Sequence, residues 1–423
     1  MASPAPHYGW YGDDFTGATD TLATLAESGF RALLFLGIPT AGQLAAAGAL
    51  DAVGIAGATR SMVPAGMTSV LDEAGRFFAG LGVRLMHYKC CSTFDSAPHV
   101  GSIGAAVAAL RPHFPNPLVP IIGGQPNLGR YCLFGQLFAA AGAGGEVHRI
   151  DRHPTMSRHP VTPMGEADLR RHLAAQGLGR VGLVDYRAYD EDGEDALSRA
   201  RIGNPDAVLF DVARSRDLAT IAALLRAPLA QAPMLMVGAS SVARLAAAWG
   251  ARDAKAVPAR RQRQGAVLAL VGSLSPVTRA QVEAVDGFGR LTVDPGRLLA
   301  EPGHAAALRR EALAMLSAGD AMLVTAEPDG MPGNPRAVAE ATGHLLRDVM
   351  SEARVGRLLV AGGDTATLAI EALDIWGLSY RAPMVAGAPL CAAHSMSPHL
   401  DGLDIVLKGG QMGPPDFFAL ASR

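Results

Sequence analysis

The sequence predicts an α/β protein of two domains, each with a mostly parallel sheet flanked by helices. Its 423 residues exceed what one ordinary core organises. Short apolar runs of strand length alternate with helical stretches along both halves, the pattern of parallel strands covered on both faces. Composition shifts once, over 251–264, where the chain is charged, holds Pro258 and loses apolar periodicity, as a linker does. The expected division is residues 1–245, a linker over 246–264, and residues 265–423.

The first half opens with the densest chemistry in the chain. Residues 8–11 are aromatic enough for a strand, and 16–30 carry Ala18, Leu22, Leu25 and Ala26 at helical spacing. Asp13 and Asp14 therefore fall at a strand-to-helix turn, on the carboxyl edge of the sheet where ligands bind. One aspartate capping the helix is the plain structural alternative. Both serving only as caps fits less well, because adjacent acids repel unless something cationic or hydroxylic lies between them.

Strands are next expected over 32–36 and 52–56, the latter exiting through Gly57-Ala58-Thr59-Arg60-Ser61. Arg60 thus reaches the edge that holds the twin aspartates, either to take a substrate carboxylate with its fork or to make a salt bridge. A fourth strand over 84–88 runs into Lys89-Cys90-Cys91-Ser92-Thr93-Phe94-Asp95-Ser96, which gathers a cation, hydroxyls and a carboxylate at one exit. That set complements a ligand bearing a carboxylate and several hydroxyls. A helix over 101–110, a strand over 119–124 and a loop with Gln125, Asn127, Gly129 and Arg130 follow. The proline-fixed run from Ser157 through Arg158, His159 and Thr162 to Met164 is a rigid polar loop, in which a lone His is more often a surface hydrogen-bonder than a catalyst. Strands over 181–184, 207–211 and 234–237 complete this half, and the last exits through Gly238-Ala239-Ser240-Ser241.

The second half begins with a buried-type strand over 266–271, then Gly272-Ser273-Leu274-Ser275-Pro276-Val277-Thr278 and a helix start. Hydroxyls and amides gathered there make an anion nest. Strands over 321–325 and 357–361 follow, the latter exiting into Gly362-Gly363-Asp364-Thr365, and a strand over 405–407 leads into Lys408-Gly409-Gly410-Gln411. Three such exits in one domain suit a single nucleotide. The Gly-Lys-Ser/Thr ending of a Walker A loop is absent, and so is the Gly-x-Gly-x-x-Gly fingerprint of a dinucleotide fold at either domain start.

Bulk properties narrow the class. A net charge of -2 and a pI near 6.6 give no footprint for nucleic acid or an anionic membrane. The four cysteines lack the spacing of a zinc site or a disulfide framework, and no segment approaches eighteen uninterrupted apolar residues. The expectation is a cytoplasmic protein acting on small molecules, and its apolar fraction of 49% permits a homodimer interface. Only three of the 37 basic residues are lysines, Lys89, Lys255 and Lys408, against 34 arginines. A lysine persisting under that bias marks a place where a compact ammonium serves and a guanidinium fork does not. Lys255 lies in the linker and carries no functional weight.

In order along nearly the whole chain, GDDFTGATD, the Arg60 exit, KCCSTFDS, HPVTPM, GSLSPVT with Gln281, GGDTA and KGGQMG resemble the signatures of the four-carbon acid sugar kinases. The KCCSTFDS form looks most like the branch that acts on 3-oxo-tetronates. Relatives often carry Leu-Arg-Gly after Ser-Thr, where this chain has Phe94-Asp95-Ser96, and Lys-Ser-Gly-Asn-Phe-Gly where it has KGGQMG. The resemblance implies an N-terminal domain that binds the sugar acid, a C-terminal domain that binds ATP, and an active site in the cleft between them. It implies phosphorylation of a terminal hydroxyl of a 3-oxo-tetronate, threonate, erythronate or a branched analogue such as 3-oxo-isoapionate.

Phosphoryl transfer asks mainly for positioning and for neutralisation of phosphate charge. The resulting assignments make Asp13 or Asp14 the base, with Asp13, Asp14, Arg60, Lys89, Ser92, Thr93, Arg158 and His159 around the sugar acid. Ser273, Ser275, Gly362, Gly363, Asp364, Thr365, Gly409 and Gly410 are assigned to ATP, with Mg²⁺ bridging its phosphates through ligands the sequence does not identify. The alternative is an NAD(P)-dependent oxidoreductase acting on a small hydroxy acid.

Overall fold

The computed structural model describes residues 7–142, 144–159, 161–249, 263–326 and 335–423, with the backbone alone for Pro335 and Asp364. Lys255, Pro258 and most of the expected linker lie outside the described residues. The chain divides into two compact units, residues 1–256 and 257–423.

In the first unit the strands are β1 (Tyr8–Gly12), β2 (Ala32–Phe35), β3 (Ala52–Ala56), β4 (Leu85–Lys89), β5 (Pro120–Gly123), β6 (Arg130–Leu133), β7 (Gln136–Ala140), β8 (Val147–Arg149), β9 (Val181–Val184), β10 (Ala207–Asp211) and β11 (Met234–Gly238). Eight of them form one parallel sheet in the order β2-β3-β1-β4-β11-β5-β10-β9. Every residue of β1, β3, β4, β10 and β11 is buried, as expected of strands covered on both faces. Close packing also fixes a glycine: a Cβ on Gly54 of β3 would stand 2.1 Å from the buried Trp10 ring of the neighbouring strand.

The sequence predicts a loop from Gln125 through Arg130 and no strand over 130–149, yet Arg130 opens a strand. Here β6, β7 and β8 form a separate antiparallel sheet. Its tight turn is made by Phe134 (φ 54°) and Gly135 (φ 77°), two consecutive left-handed residues of the kind a two-residue hairpin requires. A phenylalanine there is a weak turn signal. The tertiary partner is the Asp211 carboxylate, which accepts the N–H groups of both Phe134 and Gly135.

The second unit holds β12 (Val267–Val271), β13 (Phe288–Val293), β14 (Asp320–Thr325), β15 (Arg357–Ala361), β16 (Gly377–Val385), β17 (Ala388–His394) and β18 (Asp404–Lys408). Their order is β13-β14-β12-β15-β18-β17-β16; the first five run parallel, and β17 and β16 are antiparallel additions. The core beneath gathers Val267, Ala269 and Val271 of β12, Leu359 of β15, Val406 of β18, and Phe417 and Phe418 of the last helix. The β16–β17 hairpin was not anticipated. Pro383 and Arg381 disguise β16, and its register shifts twice along the pairing, so no clean alternation is visible.

Candidate functional site

Both sheets reverse their winding direction at the first strand of the unit. From β1 the chain builds β2 and β3 on one side and β4 on the other; from β12 it builds β13 and β14 on one side and β15 on the other. At such a switch point the flanking loops part and leave a crevice at the carboxyl ends of the strands. Asp13, Asp14 and Lys89 leave the first crevice's strands, and Ser273 and Gly362 leave the second's.

In the first unit three exits are tied by backbone. Asp13 N–H donates to the Lys89 carbonyl at 2.9 Å, and Arg60 N–H to the Asp13 carbonyl at 3.1 Å. The Arg60 guanidinium then bridges both aspartates: Nη2 and Nε donate to Asp13 Oδ1 and Oδ2 at 2.9 and 3.3 Å, and Nη1 meets Asp14 Oδ2 at 2.7 Å. Asp14 also caps the helix Phe15–Glu27, accepting Gly17 N–H on Oδ1 at 2.8 Å and the Thr16 hydroxyl on Oδ2 at 2.7 Å. The cap reading and the charged-site reading therefore hold together for Asp14. Lys89 is buried, its ammonium donates to the Cys90 carbonyl at 2.7 Å, and a Cβ on Gly17 would stand 2.5 Å from Nζ and 2.6 Å from Asp14 Oδ1. The glycine of GDDFTG thus makes room for a cation over the helix start.

These contacts separate the two acids. Burial pushes the Asp13 carboxyl up, the neighbouring Asp14 charge adds to this, and Arg60 and Lys89 only partly offset it. Burial acts on Asp14 in the same sense, but Arg60, Lys89, the Thr16 hydroxyl and the Gly17 amide outweigh it and hold its carboxyl below the usual range. For Arg60, burial opposes the charge, and the two aspartates overcome it and keep the guanidinium firmly protonated.

The β4 exit completes this rim. Thr93 Oγ1 donates to Asp95 Oδ1 at 2.6 Å and lies 3.0 Å from Cys91 Sγ, and Ser92 is half-buried on the same turn. Phe94 turns left-handed (φ 55°), and its carbonyl accepts the Ser96 hydroxyl at 2.8 Å, which itself sits 2.8 Å from His172 Nε2. Arg130, buried at the start of β6, lies within electrostatic range of Cys91 and Asp95, and its Nε has no partner among the described residues. Gln125, also buried, donates from Nε2 to Asp20 Oδ2 at 3.0 Å, and its Oε1 has no partner among the described residues. Gln125 and Asp20 carried no sequence signal for this pairing, being 105 residues apart; for Gly129 and Arg130 the family resemblance implies a place by the site. Arg158 is exposed, with no hydrogen bond or ion pair to this cluster among the described residues. His159 turns Nδ1 back onto its own loop, where it accepts Thr162 N–H at 3.1 Å.

In the second unit the exits of β12, β15 and β18 lie on adjacent strands and interlock. Gly272 and Ser273 N–H both donate to the Ala361 carbonyl, and Gly362 N–H donates to the Lys408 carbonyl at 2.8 Å. Ser275 caps the helix Pro276–Glu283, and its hydroxyl donates to the Gly410 carbonyl at 2.6 Å. The glycines leave room for neighbouring hydroxyls: a Cβ on Gly272 would stand 2.1 Å from Thr365 Oγ1, and one on Gly410 would stand 2.5 Å from Ser273 Oγ. Gly362 adopts φ +127°, a conformation L side chains rarely take, and leads into the helix Gly363–Glu371. The first-turn amides of that helix lack intrahelical partners, as at every helix start. Of the residues assigned to ATP from sequence, the structure gathers Ser273, Ser275, Gly362, Gly363, Thr365, Gly409 and Gly410; the Asp364 side chain lies outside the described residues. Among the described residues no group of three or more His, Cys, Asp or Glu could hold a metal ion.

Comparison with known proteins follows the same division. A sugar-binding N-terminal domain model matches residues 8–246, and a nucleotide-binding C-terminal domain model matches residues 268–418. The chain is 38% identical to 3-oxo-isoapionate kinase of Paraburkholderia graminis over 97% of this chain and 93% of that protein. It is 30% identical to 3-oxo-tetronate kinase of Cupriavidus necator over 99% and 97%. The crystal structure of a protein from Salmonella typhimurium LT2 superposes with a TM-score of 0.77 at 27% identity, covering 98% of each chain. With a family model spanning more than half its length and full-length relatives of this identity, the chain belongs to the four-carbon acid sugar kinase family.

Proposed function

We propose that the protein is an ATP-dependent kinase for a four-carbon-backbone acid sugar, and that a branched 3-oxo acid such as 3-oxo-isoapionate is its preferred substrate. Similarity to 3-oxo-isoapionate kinase over nearly the whole chain carries this choice, at 38% identity against 30% for the 3-oxo-tetronate kinase of Cupriavidus necator. The oxidoreductase alternative finds no support in any of these relatives. Residues 1–245 would hold the sugar acid and residues 265–423 the nucleotide, joined through 246–264.

Asp13 is the better base of the pair. Asp14 Oδ2 already takes Arg60 and Thr16, and its Oδ1 takes Gly17, so it has little capacity left and a weak appetite for a proton. Among the described residues Arg60 is the one hydrogen-bond donor to the Asp13 carboxylate, and a carboxylate offers about four acceptor sites. Its raised proton affinity suits a group that must receive the hydroxyl's proton while that oxygen bonds to the γ-phosphorus and ADP leaves. Arg60 is committed to the aspartates, so it orients the base and leaves the substrate carboxylate and carbonyl to Lys89, Ser92, Thr93 and the buried Arg130. Arg158 and His159 belong to the substrate side only if their loop moves onto it.

The second unit fits a polyphosphate in kind: glycines set close against side-chain hydroxyls, two serine hydroxyls, Thr365 and a helix start. Mg²⁺ carried on the triphosphate would supply neutralising charge. The deciding experiment measures ADP formation from ATP with a panel of 3-oxo-isoapionate, 3-oxo-tetronate, threonate and erythronate, beside hydride transfer from NADH. The expected result is turnover with ATP, fastest on the branched oxo acid. NADH oxidation without ADP formation overturns the kinase, and a preference for 3-oxo-tetronate overturns the substrate choice.

A further inference from the structure

Lys408 ends β18 at the strand exit assigned to the nucleotide, where a lysine would ordinarily be read as a phosphate ligand. The structure turns it the other way. Its side chain is fully buried, and Nζ donates to Thr278 Oγ1 at 2.8 Å, to the Gly409 carbonyl at 3.1 Å and to the Met412 carbonyl at 3.2 Å. Three acceptors occupy the three hydrogens of an ammonium. Thr278 passes the bond on, since its hydroxyl donates to the Gly410 carbonyl at 2.8 Å, the same carbonyl that takes Ser275 Oγ. In a trans peptide the following N–H points opposite to the carbonyl. Fixing the Gly410 carbonyl against Thr278 and Ser275 therefore fixes the direction of the Gln411 amide.

Among the described residues the charge of Lys408 has no counterion. Thr278 faces it from the helix Pro276–Glu283, the Phe417 ring of the last helix lies 5.5 Å away, and Gln281 Nε2 on the same helix donates to the carbonyls of Met412, Gly413 and Pro414 while its buried Oε1 has no partner among the described residues. Among the described residues no carboxylate and no second cation acts on it. Burial alone brings the ammonium down to about 7, so near neutral pH it is only partly protonated. A buried cation satisfied by neutral acceptors only is costly unless an anion arrives nearby.

We propose that Lys408 is a positioning residue which, from beneath the nucleotide site and without touching the ligand, sets the Gly409–Gln411 turn and takes up a proton when a polyphosphate binds. This rests on the nucleotide reading of the second unit. A bound polyphosphate favours the charged form of the lysine, and by linkage the charged lysine favours the polyphosphate.

The test is calorimetric titration of ATP into the full chain at pH 7.5, in two buffers of different ionisation enthalpy. Comparison is with Lys408→Met, a buried apolar replacement, and Lys408→Arg. The intact chain should take up about half a proton or more per ATP beyond what Lys408→Met takes up. Lys408→Met should bind ATP about tenfold more weakly with the sugar-acid KM unchanged. Lys408→Arg should not restore binding, because a planar fork cannot reach three acceptors arranged for a compact ammonium. A wild-type chain that binds no ATP overturns the nucleotide reading and this proposal with it. Binding with no proton uptake by the wild-type chain overturns this proposal alone, whether or not the variants fold.

Discussion

The two switch points share a topology and differ in chemistry. At the β1 crevice the exits supply charged side chains: Arg60 bridges Asp13 and Asp14, and the Lys89 ammonium acts on both aspartates from beside the helix start. At the β12 crevice they supply hydroxyls, carbonyls and glycines, with one cation underneath. The sheet decides where a ligand can sit; the few residues after each strand decide what it can be. Charged groups suit a place where a proton changes hands, and fixed amides and hydroxyls suit one where a phosphate is held still.

The largest effect expected from breaking this contrast falls on Asp13. Asp13→Asn should lower kcat by about 10² to 10⁴, the usual worth of a general base, with ATP affinity unchanged. Because Asp13 must be ionised to act and its carboxyl is pushed up, wild-type kcat should fall as pH drops through that raised value, and the variant should lose this acid limb. An unaltered kcat would remove the proton-transfer role from the first crevice.

Next in size is an acid effect confined to the first unit's sheet. His87 of β4 is fully buried, with Tyr8 Oη 2.6 Å from Nδ1 and the Gly238 carbonyl 3.0 Å from Nε2, and burial lowers it to about 3. This network fits a neutral ring with its proton on Nε2. The folded state thus resists a proton that the unfolded chain accepts below about pH 6.5. Stability is fully present above that pH and should fall by up to about 1.4 kcal/mol per pH unit down to about 3. Denaturant melts from pH 7 to 4 check this, and His87→Gln should flatten the dependence.

A smaller and more diagnostic pair crosses the two crevices. Gly17→Ala would place a Cβ against Lys89 Nζ, and Gly410→Ala would place one against Ser273 Oγ. Each forces a side chain aside by a fraction of an ångström, worth about tenfold in KM. Gly17→Ala should raise only the sugar-acid KM, and Gly410→Ala only the ATP KM. Both variants raising the same KM would show that the division of labour is wrong.

How much of this was legible depends on range. Most of the parallel strands and the twin-aspartate turn were visible because local apolar runs, glycines and exit residues report them directly; the edge strand β13 was not, its residues being only partly buried and mixed with polar ones. The β6–β8 sheet was not, since its hairpin is closed by Asp211, 77 residues from Phe134, and so depends on a tertiary partner. The sequence likewise put Lys408 among glycines and hydroxyls without showing which way its ammonium points. Position alone allowed Arg60 a substrate fork or a salt bridge, and the resemblance assigned it to the sugar acid; in the structure its fork is taken by Asp13 and Asp14.

The smallest effect tests whether a helix cap alone accounts for the first crevice. Thr40 and Asp14 both cap helices in the first unit. Thr40 forms a reciprocal capping box with Gln43 at the start of Ala41–Ala47, a helix that buries none of its residues. Thr40→Ala should therefore cost about 0.5–1 kcal/mol, with kcat and both KM values unchanged. Asp14→Asn makes the complementary change: asparagine caps about as well as aspartate, so Gly17 N–H keeps its acceptor, but the charge facing Arg60 and Lys89 is gone. Freed from one of its two partners, the Arg60 fork should hold Asp13 less firmly and so lower kcat, by less than Asp13→Asn does. If Asp14→Asn behaves as Thr40→Ala does, with a small stability change and normal kinetics, Asp14 is a cap and the charge contrast between the crevices rests on Asp13, Arg60 and Lys89 alone.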